Sequence, residues 1–184
     1  AGPATTVTEN FQVPGPQTSP STTPLTSLRS SAAGRSFGIG LAAWALDRGH
    51  RPEYGDTADL IMRWRRALCL SNDETAEFRG VLRSLTLLRT IWPTLGVAAQ
   101  KRATHAREFE AAVGLEESWD AARAAKIRAR VTELEATLSG LKPEPLLDGD
   151  RLVHSGFKPG PRFKEVLDAV YDAQLEGRIS DSVD

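Results

Sequence analysis

The sequence predicts an all-α protein, a helical bundle followed by a helix-turn-helix tail, on three observations. From Ser36 onward apolar residues recur at helical spacing with almost no alternating pattern, so no segment favours a strand. Residues typical of helix caps and glycines typical of helix ends bracket these stretches. Hydrophobic residues make up 40% of the chain and charged residues 26%, which supports a folded core and excludes collagen, coiled-coil rods and a wholly disordered chain. We expect three parts: a leader over residues 1–35, a helical body over 36–140 and a helical tail over 141–184.

Residues 1–35 are predicted to form a disordered leader. They are rich in Ser, Thr and Pro, and Glu9 and Arg29 are the only charges among the first thirty residues. Ordering such a segment would bury almost no apolar surface to offset the entropy cost. Because Ala1 is not a start methionine, the segment is alternatively the beginning of a piece cut from a longer chain.

The body is predicted to begin with two amphipathic helices. The first spans residues 37–48 and ends near Gly49, and the second follows Asp56, whose side chain can cap it. Their predicted core faces are Phe37, Leu41, Trp44 and Ala45 in the first helix and Leu60, Ile61, Trp64 and Leu68 in the second. Cys69 follows directly; as the only cysteine it excludes an internal disulfide, and we expect it to be buried as a small apolar residue.

Three further helices are predicted to complete the body, which makes about five. Ser71 and Glu74 have the spacing of a capping box, and they open a third helix that stops at Trp92-Pro93-Thr94. The fourth helix is expected over residues 96–112 and the fifth over 116–138. The predicted core stripes are Phe78, Val81, Leu82, Leu85 and Leu88 in the third helix and Trp119, Ile127, Val131, Leu134 and Leu138 in the fifth.

The tail is predicted to be a short helix, a Gly-Pro turn and a longer helix. Residues 141–145 contain two prolines and form a stiff spacer after the body. Asp148 can cap the short helix, and Pro161 can occupy the first turn of the longer one, which ends at Gly177. The apolar stripe predicted for the longer helix consists of Phe163, Val166, Leu167, Val170, Tyr171 and Leu175.

The sequence lacks the common motifs of enzymatic chemistry. It has no phosphate-binding GxxxxGK[ST], no dinucleotide-binding GxGxxG, no GxSxG nucleophile elbow and no HExxH metal motif. The three histidines are far apart, so we expect no metal site, and Asp148 and Asp150 are explained by helix capping. A formal net charge of −1 gives no global attraction to nucleic acid or membrane. No apolar run is long enough to span a membrane and no secretory signal is found, which indicates a cytoplasmic location by elimination.

Local clusters of cations are the candidate phosphate contacts. The candidates are Lys158, Arg162 and Lys164 in the tail and Arg66, Lys101 and Arg102 in the body. The tail set surrounds a glycine-containing turn at the start of a long helix, where free amides and the helix dipole favour an anion. The body set could extend positive charge along a phosphate backbone. Each cluster is alternatively an ordinary solvated helix surface.

Three runs of residues in the tail and two stretches in the body carry a resemblance to a known family. The tail contains Leu147-Asp148-Gly149-Asp150-Arg151-Leu152, then Gly156-Phe157-Lys158-Pro159-Gly160-Pro161, then Ala173-Gln174-Leu175-Glu176-Gly177-Arg178-Ile179. In these runs the tail resembles the C-terminal part of bacterial CCA-adding tRNA nucleotidyltransferases and poly(A) polymerases of the same class, with Arg151 at the place of the family's Asp. Leu68-Cys69-Leu70-Ser71-Asn72-Asp73-Glu74 is similar to a run in that family's helical body, and the helix from Phe37 to Asp47 is similar in character to the preceding body helix.

The resemblance implies a role in tRNA processing rather than chemistry by this chain alone. In the family a body and tail of this kind bind the tRNA acceptor arm and elbow by phosphate and shape contacts. A separate N-terminal head carries a DxD pair that binds Mg²⁺, and it selects CTP or ATP for addition to the tRNA 3′ end. None of the head motifs occurs in this chain, so we expect no such cofactor here and no nucleotide addition without a head, which another chain could supply.

An alternative interpretation is a helical protein-interaction scaffold without RNA-binding or enzymatic activity. The exposure of the tryptophans would discriminate, because a protein-binding surface leaves an apolar patch exposed whereas an RNA-binding surface is basic. The four tryptophans are Trp44, Trp64, Trp92 and Trp119.

Overall fold

The computed structural model describes residues 36–158 and 160–180, which form helices and the connections between them. Within these residues there are eight α-helices, one 3-10 helix and no strand, so the all-α prediction is confirmed. The helices are α1 Phe37–Asp47, α2 Thr57–Leu68, α3 Asn72–Thr90, the 3-10 helix Trp92–Thr94, α4 Val97–Thr104, α5 Phe109–Trp119, α6 Ala121–Glu135, α7 Gly149–His154 and α8 Pro161–Leu175. The predicted leader, residues 1–35, lies outside the described residues. None of the described helices is long and apolar enough to cross a membrane.

Helix α1 packs mainly on α3 and is buried around most of its circumference, because Gly, Ala and aliphatic side chains occupy nearly every position. Gly38 lies where α1 meets the side chain of Glu77 on α3. A Cβ added there would lie 2.6 Å from Oε2 of Glu77, which accepts a hydrogen bond from the Gly38 amide at 3.2 Å. Gly49, just after the end of α1, has a φ of 88°, in agreement with its predicted role at the helix end. Phe37, predicted to be in the core, is instead exposed at the first turn.

Helix α3 supplies the most deeply buried stripe of the body. Its N-terminal capping box is confirmed: Ser71 Oγ accepts from the Glu74 amide at 3.2 Å, and Glu74 Oε2 accepts from the Ser71 amide at 2.8 Å. All five predicted stripe residues are buried. Phe78 at the start of the stripe stacks on Trp64 of α2, with ring centroids 5.5 Å apart. The 3-10 helix that begins at Trp92 ends α3, as predicted from the proline.

The region from residue 96 to 138 contains three helices rather than the two predicted, so the body has six α-helices. The first predicted helix stops at Thr104, and α5 begins at Phe109 after a short connection that contains neither Gly nor Pro. A second boundary falls at Asp120, whose Oδ1 accepts from the Arg123 amide at 2.9 Å and so caps α6. Trp119 therefore ends α5 instead of opening a long fifth helix.

The two tail helices begin as predicted. Asp148 Oδ1 accepts from the Arg151 amide at 2.8 Å and caps α7, and Pro161 occupies the first turn of α8. The main core cluster consists of body residues only. Of the apolar stripe predicted for α8, Leu175 is fully buried, whereas the other positions are only partly covered or exposed. The tail is thus joined to the body with little apolar burial along α8.

Several residues predicted to be buried lie on the surface because they sit at or beyond a helix end. Leu68 is the last residue of α2, and Cys69 after it adopts a left-handed conformation with a φ of 52° that leaves its side chain exposed. Leu138 follows the end of α6 and is fully exposed. Helical spacing cannot predict burial there, because the helix that defines the stripe has ended.

Candidate nucleic-acid interface

The start of α8 carries three exposed cations, Lys158, Arg162 and Lys164. Within the part of the chain that the structure describes, none of their side chains makes an ion pair or hydrogen bond. No side chain caps the helix here, and Gly160 before it is fully extended. Positive charge and the positive end of the helix dipole therefore coincide at this point, which favours an anionic partner.

Helix α7 and the turn after it directly precede these cations. A Cβ added at Gly149, the first residue of α7, would lie 3.5 Å from Cε1 of Phe163 in the first turn of α8. The end of α7 turns sharply at Gly156, which has a φ of 86°, and the Phe157 amide donates to the Leu152 carbonyl at 3.1 Å. Lys158 and the first turn of α8 follow this turn along the chain.

Lys101 is 0% exposed, which corrects its assignment as an RNA contact. Its ammonium donates to Thr137 Oγ1 at 2.7 Å, to Ser139 Oγ at 2.7 Å and to the Leu175 carbonyl at 2.9 Å. Desolvation by burial lowers the pKa of Lys101 below its ordinary value. All donors of this side chain are used inside the protein, so it has none left for a phosphate.

Arg102 joins α4 to α8 and is only partly exposed. Its Nε donates to Asp172 Oδ1 at 2.6 Å, and its Nη2 donates to the Asp168 carbonyl at 3.2 Å. The guanidinium also lies over the Tyr171 ring, 5.2 Å from the centroid. The hydrogen bond to Asp172 raises the pKa of Arg102, so the charge is permanent but is neutralised in place. Its contacts make Arg102 primarily a link between body and tail.

Arg66 is exposed on α2, and its side chain has no partner among the described residues. It borders a shallow depression together with Asp59, Met62 and Arg63. The six candidates therefore fall into three groups: free cations at the start of α8, a free cation on α2, and the pair at the body–tail junction. Among the described residues, no hydrogen bond or ion pair links the α2 group to the α8 group.

Sequence reasoning missed a buried ionic cluster between α3, α5 and α6. Glu116 is fully buried; its Oε2 accepts from Arg89 Nε at 2.6 Å and its Oε1 from Arg123 Nη1 at 2.8 Å. Glu53 lies 3.4 Å from Arg89 Nη1, while Arg89 Nη2 is buried without a partner among the described residues. Arg89 lies 27 residues from Glu116 and 36 from Glu53 along the chain, so no local pattern could have predicted the cluster.

A groove of about 490 Å³ between α3 and the α4–α5 region was also not predicted. Leu87, Ala103 and Phe109 contribute apolar surface to it, and Arg83 and Glu108 contribute charge. Residues of three helices line it. The sequence does not predict the groove, because it does not predict the α4–α5 boundary beside it.

Three of the four tryptophans are part of the body core. Trp92 is buried, and Trp44 and Trp64 are partly buried, with tilted rings whose centroids are 4.8 Å apart. Trp119 is 49% exposed, with the Arg51 guanidinium 4.4 Å from its ring centroid. The tryptophans therefore form no extended exposed apolar patch, and Trp119 alone of the four presents a large surface.

No protein-family model, curated protein or solved structure matches this chain. Among residues 36–158 and 160–180, no three His, Cys, Asp or Glu side chains come together as a metal-ligand set.

Proposed function

We propose that this chain is a tRNA-binding module of the CCA-adding nucleotidyltransferase kind, which binds the acceptor arm and elbow and lacks the catalytic head. The observation that carries the proposal is the set of three exposed, unpaired cations at the uncapped start of α8. The family resemblance of the same segment supports it. In this proposal α7 and α8 act as the helix-turn-helix unit that meets the RNA.

The arrangement of the cations suits a duplex better than a flat anionic surface. Arg162 and Lys164 are two residues apart in a helix and therefore point about 200° apart around its axis. They flank the helix end on opposite sides, and Lys158 precedes them in the turn. A helix end placed in the groove of an RNA duplex can then reach phosphates of both strands, which is recognition by shape rather than by sequence.

In this proposal the chain positions tRNA and a separate head performs the chemistry. The head would bring Mg²⁺ and CTP or ATP, and the contacts of the tail would fix where the tRNA 3′ end is presented. A chain with these residues alone is expected to bind tRNA and to add no nucleotides.

Charge reversal at Lys158 tests the proposed interface. Lys158→Glu should weaken binding to an acceptor–elbow minihelix several-fold and reduce the slope of log affinity against log salt by about one, because one phosphate contact is lost. Lys126→Glu is the matched control, since Lys126 on α6 is exposed and unpaired among the described residues but lies outside the candidate set. Equal effects of the two substitutions on minihelix binding would show that Lys158 is not part of the interface.

A protein-interaction scaffold is the second candidate, and two observations favour it. Trp119 is half-exposed beside arginines, and the tail side chains Val153, Phe157 and Val166 are exposed although they are apolar. Trp and Arg are typical of the central residues of protein interfaces. Absent binding of the unsubstituted protein to the minihelix at low salt would favour this candidate.

A further inference from the structure

The ends of three helices meet at the buried side chain of Lys101. Lys101 lies in the last turn of α4, Thr137 and Ser139 follow the end of α6, and Leu175 is the last residue of α8. Its ammonium lies within 2.7 to 2.9 Å of an oxygen from each of these three residues. It has no carboxylate partner among the described residues, which is unusual for a fully buried cation.

The hydrogen-bond network around this side chain suits an ammonium group. The Thr137 hydroxyl donates its proton to the Leu134 carbonyl at 2.7 Å, and the Ser139 hydroxyl donates to the Leu175 carbonyl at 3.1 Å. Both hydroxyls can therefore only accept from Lys101, and a carbonyl always accepts. These three oxygen acceptors match in number the three N–H donors of an ammonium group.

The negative ends of helix dipoles explain how the charge is held without a carboxylate. The C-terminal ends of α4, α6 and α8 all lie at Lys101, and each contributes partial negative charge from its last carbonyls. The Leu175 carbonyl is one of these terminal groups and would otherwise have no helical partner. A cation at this point thus stabilises the meeting of the three helix ends.

All side-chain hydrogen bonds that tie α8 to residues before α7 are in its C-terminal half. Arg102 binds Asp168 and Asp172, Tyr171 Oη donates to the Pro143 carbonyl at 3.3 Å, and Gln174 bonds to both Glu144 and Leu146. The candidate RNA-binding cations are at the opposite end. Because α8 has 15 residues, it is about 22 Å long, and a tilt of about 10° at its C-terminal end moves its N-terminal end by about 4 Å.

We infer that Lys101 is a positioning residue: its buried ammonium fixes the C-terminal end of α8 on the ends of α4 and α6, and thereby sets where Lys158, Arg162 and Lys164 stand relative to the body. The inference about RNA rests on the proposed function. The inference about the position of α8 stands on the contacts alone.

A distance measurement between two spin labels tests the positioning role without RNA. One label is attached to the exposed Cys69 at the end of α2, and the other to Glu165→Cys on the exposed side of α8. With Lys101 present we expect a narrow distance distribution. Lys101→Met keeps a side chain of similar length but removes its charge and its hydrogen-bond donors. It should broaden the distance distribution or shift its maximum. Lys126→Met, at an exposed lysine of α6, should leave it narrow.

A second variant keeps the test decisive if Lys101→Met fails to fold. Ser139→Ala removes one acceptor and one donor to Leu175 without burying a new group. We expect it to broaden the same distribution to a smaller extent while the helical circular dichroism is unchanged. An unchanged narrow distribution in a folded Lys101→Met, or in Ser139→Ala if the former is unfolded, overturns the positioning role.

Minihelix binding by the same variants separates this inference from the proposed function. If the proposed function is right, Lys101→Met should bind the minihelix several-fold more weakly and with a salt slope smaller by about one to two, although Lys101 touches no RNA. A broadened distance distribution together with no RNA binding by the unsubstituted protein would support the positioning role and reject the tRNA proposal. Full RNA binding with a broadened distribution would contradict the claim that the position of α8 matters for the RNA contact.

Discussion

At the scale of single residues, the most consequential group in the body is the carboxylate of Glu116. It is fully buried and accepts from Arg89 and Arg123 on opposite oxygens. Removing one partner of a buried ion pair leaves an uncompensated charge, which costs far more than the loss of a surface pair. Arg89 is nearly as buried as Glu116, so the charge left behind would be poorly hydrated.

Glu116→Gln should therefore lower the free energy of unfolding by about 3 kcal/mol. The matched control is Glu117→Gln, because the neighbouring Glu117 is exposed and pairs with Arg128 at the surface, where a change of less than about 1 kcal/mol is expected. Denaturant unfolding of both variants measures the difference. Equal and small effects would show that the cluster does not stabilise the body.

Cys69 offers a second test at this scale. It is the only described residue other than glycine with a positive φ, at 52°, and its amide donates to the Arg65 carbonyl at the end of α2. Glycine adopts this conformation without the steric cost that a Cβ imposes. Cys69→Gly should stabilise the protein by about 0.5 to 1 kcal/mol relative to Cys69→Ala, as measured by denaturant midpoint. A less stable glycine variant would contradict the account of the helix end.

The sequence could name the cations of this chain but could not tell which of them are free. Lys101 and Arg102 are adjacent and look like the other clusters, yet their partners are 36 to 74 residues away along the chain. Lys158, Arg162 and Lys164 are identifiable from the sequence, and all three are exposed at a helix start that no described residue covers. Free and engaged cations differ only in tertiary contacts, which local patterns do not contain.

At the scale of elements, the start of α3 is the best-defined helix end. The Glu74 carboxylate accepts from the Ser71 amide, and this hydrogen bond lowers the pKa of Glu74 below its ordinary value. Because the unfolded chain binds a proton at higher pH than the folded chain does, Glu74 stabilises the fold above its ordinary pKa. That contribution is lost as the pH falls through the lowered pKa.

Glu74→Gln should therefore remove part of the acid sensitivity of the protein. Its stability should fall less steeply than that of the unsubstituted protein as the pH is lowered from about 5, near and below the ordinary carboxylate pKa. Thermal unfolding across this pH range measures the two slopes. Parallel curves would show that the carboxylate at position 74 does not titrate with folding.

The elements predicted correctly are those with a cap, a stripe and a stop close together in the sequence. The third helix has all three in Ser71, its apolar stripe and Pro93, and its extent is predicted well. The α4–α5 boundary is not predicted because residues 105–108 contain no Gly or Pro. The chain turns there, and Phe109 after the turn is buried in the core. Tertiary packing overrides local propensity at that point.

At the scale of the whole molecule, body and tail are held together by different forces. The body has an apolar core built from α1 to α6, whereas α8 is joined mainly through Lys101, Arg102 and the side chains of residues 171 and 174. A polar junction fixes orientation, because hydrogen bonds are directional, but it adds little net stability compared with apolar burial. The tail is thus placed accurately on a body that folds around its own core.

The measurement that tests the tRNA proposal most directly is binding of the purified chain to an acceptor–elbow minihelix across a salt series, with an unstructured RNA of equal length as the control. The proposal predicts tighter binding to the minihelix than to the control. It also predicts an affinity that falls with salt by a slope of about two to three, from three phosphate contacts. Absent binding at low salt, or equal binding of both RNAs, would contradict it.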